Sequence, residues 1–398
     1  MKTVCDGAVA HQSSKLIMKF QSQNSLAVTF AVTLLAGICT PMSEVQAQIQ
    51  QVLPFNYGIT GVRQDTGGNI LITGGTDSPT LNTNSAAFLY DGPLSSIPSN
   101  PSDPSLHLFH AFNDTSNGTQ FYGPNTSLFD PSIGTGNIRA VGAYKNLGST
   151  YQNSALYTGA LDGTGTWTNI VAPGNGTNLV GDTVAHSTMG SLVVGNYDYQ
   201  GQENSGLGFI YNMTNQTYQT INFGVYSTTA YGIWQNGGSN SSKYSIVGGF
   251  SDVINGGKAY VVNYDSVTKL FSDFSSFSFN NNPSIVTHFE GISAIDGGFS
   301  VTATTVQGAS YGFIPTNGDG SFGTASWIAI TNNVDTNSAL ITGDTVIDST
   351  VMGIYNSTNS TTNGIYSYIS TVPEPSTYGL LGIGLLVALG VRLRCRFE

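Results

Sequence analysis

Tyr244-Ser245-Ile246-Val247-Gly248 is a short run of strand-forming side chains that closes on a small residue. The same pattern occurs five more times. It reads Ile70-Leu71-Ile72-Thr73-Gly74, Ile138-Arg139-Ala140-Val141-Gly142 and Ser191-Leu192-Val193-Val194-Gly195 before it, then Phe299-Ser300-Val301-Thr302-Ala303 and Ser349-Thr350-Val351-Met352-Gly353 after it. The closing residues follow one another at 68, 53, 53, 55 and 50 positions, and the long first interval holds a Pro- and Asn-rich insertion, 93–131. A fixed period of this size is the mark of a repeat architecture.

Other landmarks keep the same phase. Upstream of each run lies a glycine-containing start: Tyr57-Gly58-Ile59, Tyr122-Gly123, Gly181-Asp182-Thr183, Tyr231-Gly232-Ile233, Glu290-Gly291-Ile292 and Gly343-Asp344-Thr345. Downstream lies an aromatic strand, as in Ala87-Phe88-Leu89-Tyr90 or Ala259-Tyr260-Val261-Val262, and a fourth short run such as Trp167–Ile170 or Trp327–Ile330 usually follows. Four short strands per unit, separated by Gly, Asn, Ser and Asp turns and with no amphipathic helix between, predict an all-β chain folded as a six-bladed β-propeller over 48–371. The sixth unit stops after its third strand, at Ile369-Ser370, while Ile49–Phe55 is a spare strand before the first unit. That strand is expected to complete the last blade, because an open end would leave unpaired backbone at an edge. An open solenoid or a two-sheet sandwich is the alternative.

Composition narrows the function classes. The chain has 398 residues, a net charge of −11, 39% hydrophobic and only 9% charged residues. This is too apolar for a disordered chain and too acidic for nucleic acid, which demands clustered Lys and Arg. Between 48 and 371 there are six basic and nineteen acidic residues, and only Glu203 and Glu290 among the latter are glutamates. Cys5, Cys39 and Cys395 all lie outside that body, so its stability must rest on packing and not on disulfides.

The two ends carry addresses. Lys15 and Lys19 precede an apolar run from Leu26 to Cys39, and Val45-Gln46-Ala47 places small residues for a signal-peptidase cut between Ala47 and Gln48. Residues 1–47 therefore read as a signal peptide, for which Met18-Lys19-Phe20 makes a more ordinary start than Met1. At the other end, 372–398, come Val372-Pro373-Glu374-Pro375-Ser376, an apolar run Tyr378–Val391, and the basic cluster Arg392, Arg394, Arg396. The run predicts a hydrophobic helix, short for a bilayer but extended by snorkelling arginines. Those arginines stay cytoplasmic and the body is exported, with membrane insertion transient if the tail is cut.

This tail resembles a PEP-CTERM sorting signal, with Pro373, Glu374 and Pro375 as the motif, an apolar helix, and a basic end. The resemblance covers about 26 residues. It implies an exosortase as processing partner beside signal peptidase, in a Gram-negative-type bacterium that makes exopolysaccharide, and leaves the body's activity open. The units also resemble bacterial extracellular β-propeller repeats named for a His-Ala-Phe motif. Here, though, Ala86 replaces the histidine, and His110-Ala111-Phe112 is out of phase.

Little in the body suggests catalysis. His107 and His110, in or beside the insertion, read as loop or edge residues. His186 and His288 lie next to innermost-strand starts, where side chains can face a channel mouth. Strand alternation puts His288 and Glu290 on one side, and Asp182 and Asp344 occupy matching starts, so an acidic mouth cluster is a candidate ligand site. A sialidase would need an arginine cluster, but the body has only Arg63 and Arg139. No nucleophile elbow, P-loop, His-Glu-x-x-His or EF-hand pattern is present, and Asn317-Gly318-Asp319-Gly320 reads as a turn. The expectation is a non-enzymatic cell-surface or matrix protein, without cofactor or metal, that binds extracellular polysaccharide or a surface protein. A carbohydrate-active hydrolase or lyase using Glu290, or a passive surface-layer component, is the rival.

Overall fold

Each repeat unit folds as an antiparallel meander, with four strands of its own in the first five units. In the computed structural model the described residues are 47–76, 85–202, 206–224, 226–253, 256–334, 338–357 and 364–372. All lie in one compact unit, Gln46–Glu398. The apolar tail 373–398, with its motif and basic cluster, and the leader up to 46 lie outside the described residues. Among the described residues the fold is all-β: strands and four single-turn 3-10 segments, with no helix long and apolar enough to cross a membrane.

The first strands of the six meanders are Tyr57–Gln64, Gly118–Thr126, Val180–Met189, Gly232–Gln235, Thr287–Ile295 and Ser338–Ile347. Each of these inner strands packs against the next one along the chain, and Ser338–Ile347 packs back against Tyr57–Gln64. The third and fourth meanders are bridged by Ser227–Thr228, which pairs with a strand of each. The sixth contributes only three strands of its own, and Gln50–Val52 takes the fourth place, antiparallel to Gly364–Thr371. Just before it, Ala47–Gln48 pairs parallel with Ser326–Thr331 of the fifth meander. Ala47, Ile49 and Leu53 are buried here, so the N-terminal segment is bonded to two neighbouring meanders and packed into the core.

The glycine that closes five of the six sequence runs, Ala303 closing the other, has a different role from the one its position suggests. The strands continue past it: Ile70–Thr76 beyond Gly74, Asn137–Lys145 beyond Gly142 and Leu192–Tyr199 beyond Gly195. Opposite these residues the inner strand carries one extra residue, a β-bulge, as the register steps from Ile59↔Gly74 to Gly61↔Thr73. An added Cβ at Gly74, Gly142, Gly195, Gly248 or Gly353 would run into the backbone carbonyl of Gly58, Gln120, Val184, Thr229 or Thr342 respectively. The repeated glycine thus marks the place where a bulged inner strand crowds its neighbour.

The third strands supply the core between sheets. Phe88, Tyr90, Tyr157, Phe209, Tyr260 and Tyr368 are almost wholly buried. Buried tyrosine hydroxyls need partners, and here they find backbone carbonyls: Tyr260 donates to Thr229 and Tyr368 to Thr342, both at 2.8 Å. The 93–131 segment is only partly an insertion. It holds the fourth strand of the first meander, Leu106–Phe109, and most of the second inner strand.

Candidate functional site

The bulges place one side chain from each inner strand at a common centre. The register shifts isolate Thr60, Tyr122, His186, Glu290 and Asp344 as the extra residues. The fourth strand repeats the geometry. The amides of Thr229 and Tyr231 donate to Gly249 and Val247, while Gly232 is registered with Val247, so Tyr231 is the residue left over. All six line one narrow cavity of about 20 Å³, room for about one water molecule. Four of the six, Thr60, Tyr122, Tyr231 and Glu290, are followed by glycine, and the reason is steric. A Cβ at Gly61 would meet the Tyr122 carbonyl, and one at Gly123 would lie 2.5 Å from the His186 carbonyl.

Three of the predicted residues, His186, Glu290 and Asp344, sit among these six. His288 lies one step toward the strand start and joins them through its ring. His186 stacks on Tyr231 with centroids 3.7 Å apart, and Tyr231 meets His288 edge-on at 4.4 Å. His288 Nδ1 is 3.1 Å from Glu290 Oε1, and its Nε2 is 2.6 Å from the Thr229 hydroxyl. With Nδ1–H donated to the carboxylate, Nε2 accepts from Thr229. The pair faces one way, as strand alternation suggested, although the bulge at Glu290 interrupts that alternation.

Asp182 stands apart. Its carboxylate accepts the Gln152 amide at 2.8 Å, and it is not among the residues lining the cavity. The identical triplets Gly181-Asp182-Thr183 and Gly343-Asp344-Thr345 are out of phase by four residues in the fold, and the bulge of the third strand falls on His186. His107 sits in the outer strand Leu106–Phe109, and His110 Nδ1 lies 3.1 Å from the Asn117 carbonyl. Neither is near the cavity lining.

Burial sets the charge state of the cluster. His186 is desolvated, and its basicity falls to a pKa of about 3 even though its ring N–H is held by Asn196 Oδ1 at 2.7 Å. Asp344 loses water to the narrow cavity and feels the Glu290 carboxylate, so its pKa rises to about 8 despite the hydrogen bond from Thr342. Burial also raises the Tyr122 hydroxyl to about 12 and pushes Tyr231 higher still, with Glu290 adding to it. At neutral pH the centre therefore holds a neutral imidazole, a largely protonated Asp344 and two neutral phenols.

Beyond the small residues, Arg63 reaches across the cavity. Its guanidinium donates to the Ile233 carbonyl at 3.1 Å, on the fourth inner strand, and to its neighbour Val62 at 3.1 Å. It lies 5.5 Å from the Trp234 ring centroid, a cation–π distance. Desolvation lowers its pKa to about 10, which still leaves it charged. Sequence reasoning did not assign Thr60, Tyr122, Tyr231 or Arg63 to the site. The signal was there for Tyr122 and Tyr231, each of which directly precedes the glycine of an inner-strand start; in the first unit the start Tyr57-Gly58-Ile59 is three residues out of phase, and the bulge falls on Thr60. Among the described residues no group of His, Cys, Asp or Glu is placed to hold a metal ion.

The chain is thus an all-β, propeller-like body bearing a terminal address. Residues 371–394 match the PEP-CTERM protein-sorting motif. The motif marks an exported protein, sorted by an exosortase to the surface or exterior of a Gram-negative cell. Comparison with curated proteins finds no match. Among solved structures, the chain is similar to a PQQ-bound aldose sugar dehydrogenase from Streptomyces coelicolor (8% identity, 81% of this chain and 97% of that one, TM-score 0.42). It is also similar to an inactive virginiamycin B lyase from Staphylococcus aureus (11%, 82% and 99%, TM-score 0.37) and an endo-arabinanase from Bacillus licheniformis (12%, 82% and 98%, TM-score 0.34). Likenesses this distant say nothing of what the chain does.

Proposed function

We propose that the mature protein is a six-bladed propeller, closed by its own N-terminal strand, that works outside the cell as a non-enzymatic binder of polysaccharide or of a surface protein. The cyclic succession of inner strands and the pairing of Gln50–Val52 with Gly364–Thr371 support the closed ring. Processing by signal peptidase after Ala47 and by an exosortase near Pro373-Glu374-Pro375 would release it.

The observation that carries the non-enzymatic reading is the size of the centre. A glycoside hydrolase needs two carboxyl groups on opposite sides of a glycosidic bond, and a cavity of about 20 Å³ cannot admit a sugar ring between Glu290 and Asp344. Ligand contact is left to the mouth, where His288 and Glu290 keep some exposure.

One observation favours the hydrolase or lyase reading: Asp344 is held protonated beside a second carboxyl group, a division of roles seen in acid–base catalysis. Incubating the full chain and its Glu290→Gln variant with the host's own polysaccharide separates the two. The binder reading expects retention of the polymer with no new reducing ends. Turnover by the parent protein, lost in the variant, would overturn it.

A further inference from the structure

The chain enters and leaves the body at one side. Gln50 is registered with Ile369, and Ser370 Oγ donates to the Gln48 carbonyl at 2.7 Å. Val372 is buried, and its amide donates at 2.8 Å to the carbonyl of Ser349, in the turn that follows the last inner strand. The inner strands run in one direction, as the first two show. Gly61 abuts Tyr122 at the bulge, and further on Thr126 Oγ1 donates to the Gln64 carbonyl at 2.7 Å. The turns that follow the inner strands, among them 65–69, 190–191, 296–297 and 348–349, therefore share the side at which the chain leaves. His288, the second residue of Thr287–Ile295, lies at the opposite end of its strand, so the mouth it forms with Glu290 opens away from that side.

The sorting motif follows at once. Only Pro373 to Thr377 separate the buried Val372 from the apolar run Tyr378–Val391. Fully extended, those residues reach at most about 18 Å. A compact domain of about 320 residues has a radius of gyration of about 20 Å and is about 50 Å across. So short a spacer cannot pass around so wide a body, and a body anchored through 378–391 can turn only one side to the membrane. Asp296, Asp319 and Asp348 lie exposed in turns on that side. Carboxylates are repelled by the anionic lipids of a bilayer surface. The spacer therefore keeps the body close to the bilayer, while the face itself gains nothing from lipid.

We propose that, until its tail is cut, the body stands over the outer surface of a phospholipid bilayer with the turns after its inner strands toward the lipid and the His288–Glu290 mouth turned away, and that the cut frees it. The mouth is then open to ligand in the anchored form as well as in the released one. This rests on reading 378–391 as the membrane-inserted segment. For the test, the full chain is exported in a host without exosortase, so that the leader is removed and the tail kept. With Cys395→Ser that form has no cysteine. A fluorophore is then attached to a single cysteine, at Thr66→Cys or Asp348→Cys on the turn side, or at Leu147→Cys or Gln307→Cys on the other. The protein is reconstituted in vesicles of phosphatidylethanolamine and phosphatidylglycerol that carry rhodamine-labelled head groups. Energy transfer to the head groups should dim the first pair of labels and leave the second pair bright. A spacer of about twenty Gly and Ser residues after Val372, long enough to pass around the body, should make the labels alike. Equal transfer from both sides without that spacer would overturn the orientation while leaving the anchor. A difference that persists with the spacer would show that the face binds lipid by itself, and the tether account would fail. Protein that stays off the vesicles would overturn the membrane-inserted reading and the proposal together.

Discussion

Replacing Asp344 by Asn should change how stability depends on pH, because two groups in the same cavity titrate with opposite signs. Asp344 has a folded pKa of about 8 against 3.8 in the open chain. Between those values the folded state holds a proton that the unfolded state has lost, so stability falls as pH rises. His186 has a folded pKa of about 3 against 6.5, so between those values the unfolded state holds the extra proton and stability rises with pH. Each slope is about 1.4 kcal/mol per pH unit. They cancel between pH 3.8 and 6.5, and above 6.5 only the Asp344 slope remains. The resulting loss is about 2 kcal/mol by pH 8, or roughly 0.7 M in urea midpoint for an m-value near 3 kcal/mol/M.

Asn is the neutral isostere of the protonated acid and can still accept from Thr342, so Asp344→Asn should keep its midpoint across that window. Urea melts of both proteins at half-unit steps from pH 5 to 9 measure it, and their difference removes every other titrating group. His186→Gln should do the converse, exposing the Asp344 slope from pH 3.8 upward. Identical changes in the parent and Asp344→Asn between pH 6.5 and 8 would show that Asp344 does not hold its proton, and the account of the cavity would fail.

Other outcomes follow from the same geometry. Gly195→Ala drives a methyl group into the Val184 carbonyl and the Phe209 ring, and should cost about 3 kcal/mol by chemical denaturation; Gly318→Ala, which meets nothing, should stay within about 0.5 kcal/mol. Replacing both Ile49 and Leu53 by Ala should destabilise the body by about 5 kcal/mol, since both are buried in the segment that joins the fifth and sixth meanders, and protease should then cut first near Gly364–Thr371. Mass spectrometry of the protein from its native host should find an extracellular form beginning at Gln48 and ending near Pro373. A chain still ending at Glu398 in the inner membrane would refute release.

The repeat, its period and the strand content were legible in the sequence because they depend on local alternation and on small residues at fixed phase. The sorting address was legible for a similar reason: an apolar run, charges and a short motif act without tertiary context. His288 and Glu290 could be paired from their two-residue spacing alone. The centre itself could not be composed that way. A bulge shifts register by one residue and is set by pairing between strands, so identical Gly-Asp-Thr triplets put Asp344 in the cavity and Asp182 on the Gln152 amide. Tyr122 and Tyr231 looked like strand residues until six inner strands brought their bulges together.

The sequence by itself thus determined what repeats and where the chain is sent, since both are written in neighbouring residues. Only the tertiary structure decided which groups meet: His186 with Tyr231 across 45 residues, Arg63 with the Ile233 carbonyl across 170, and Arg139 with the Gly190 carbonyl across 51. Such meetings depend on how separate sheets stack about a common centre. That is fixed by burial of the aromatic third strands and by backbone approach at the glycines, which no stretch of sequence specifies alone.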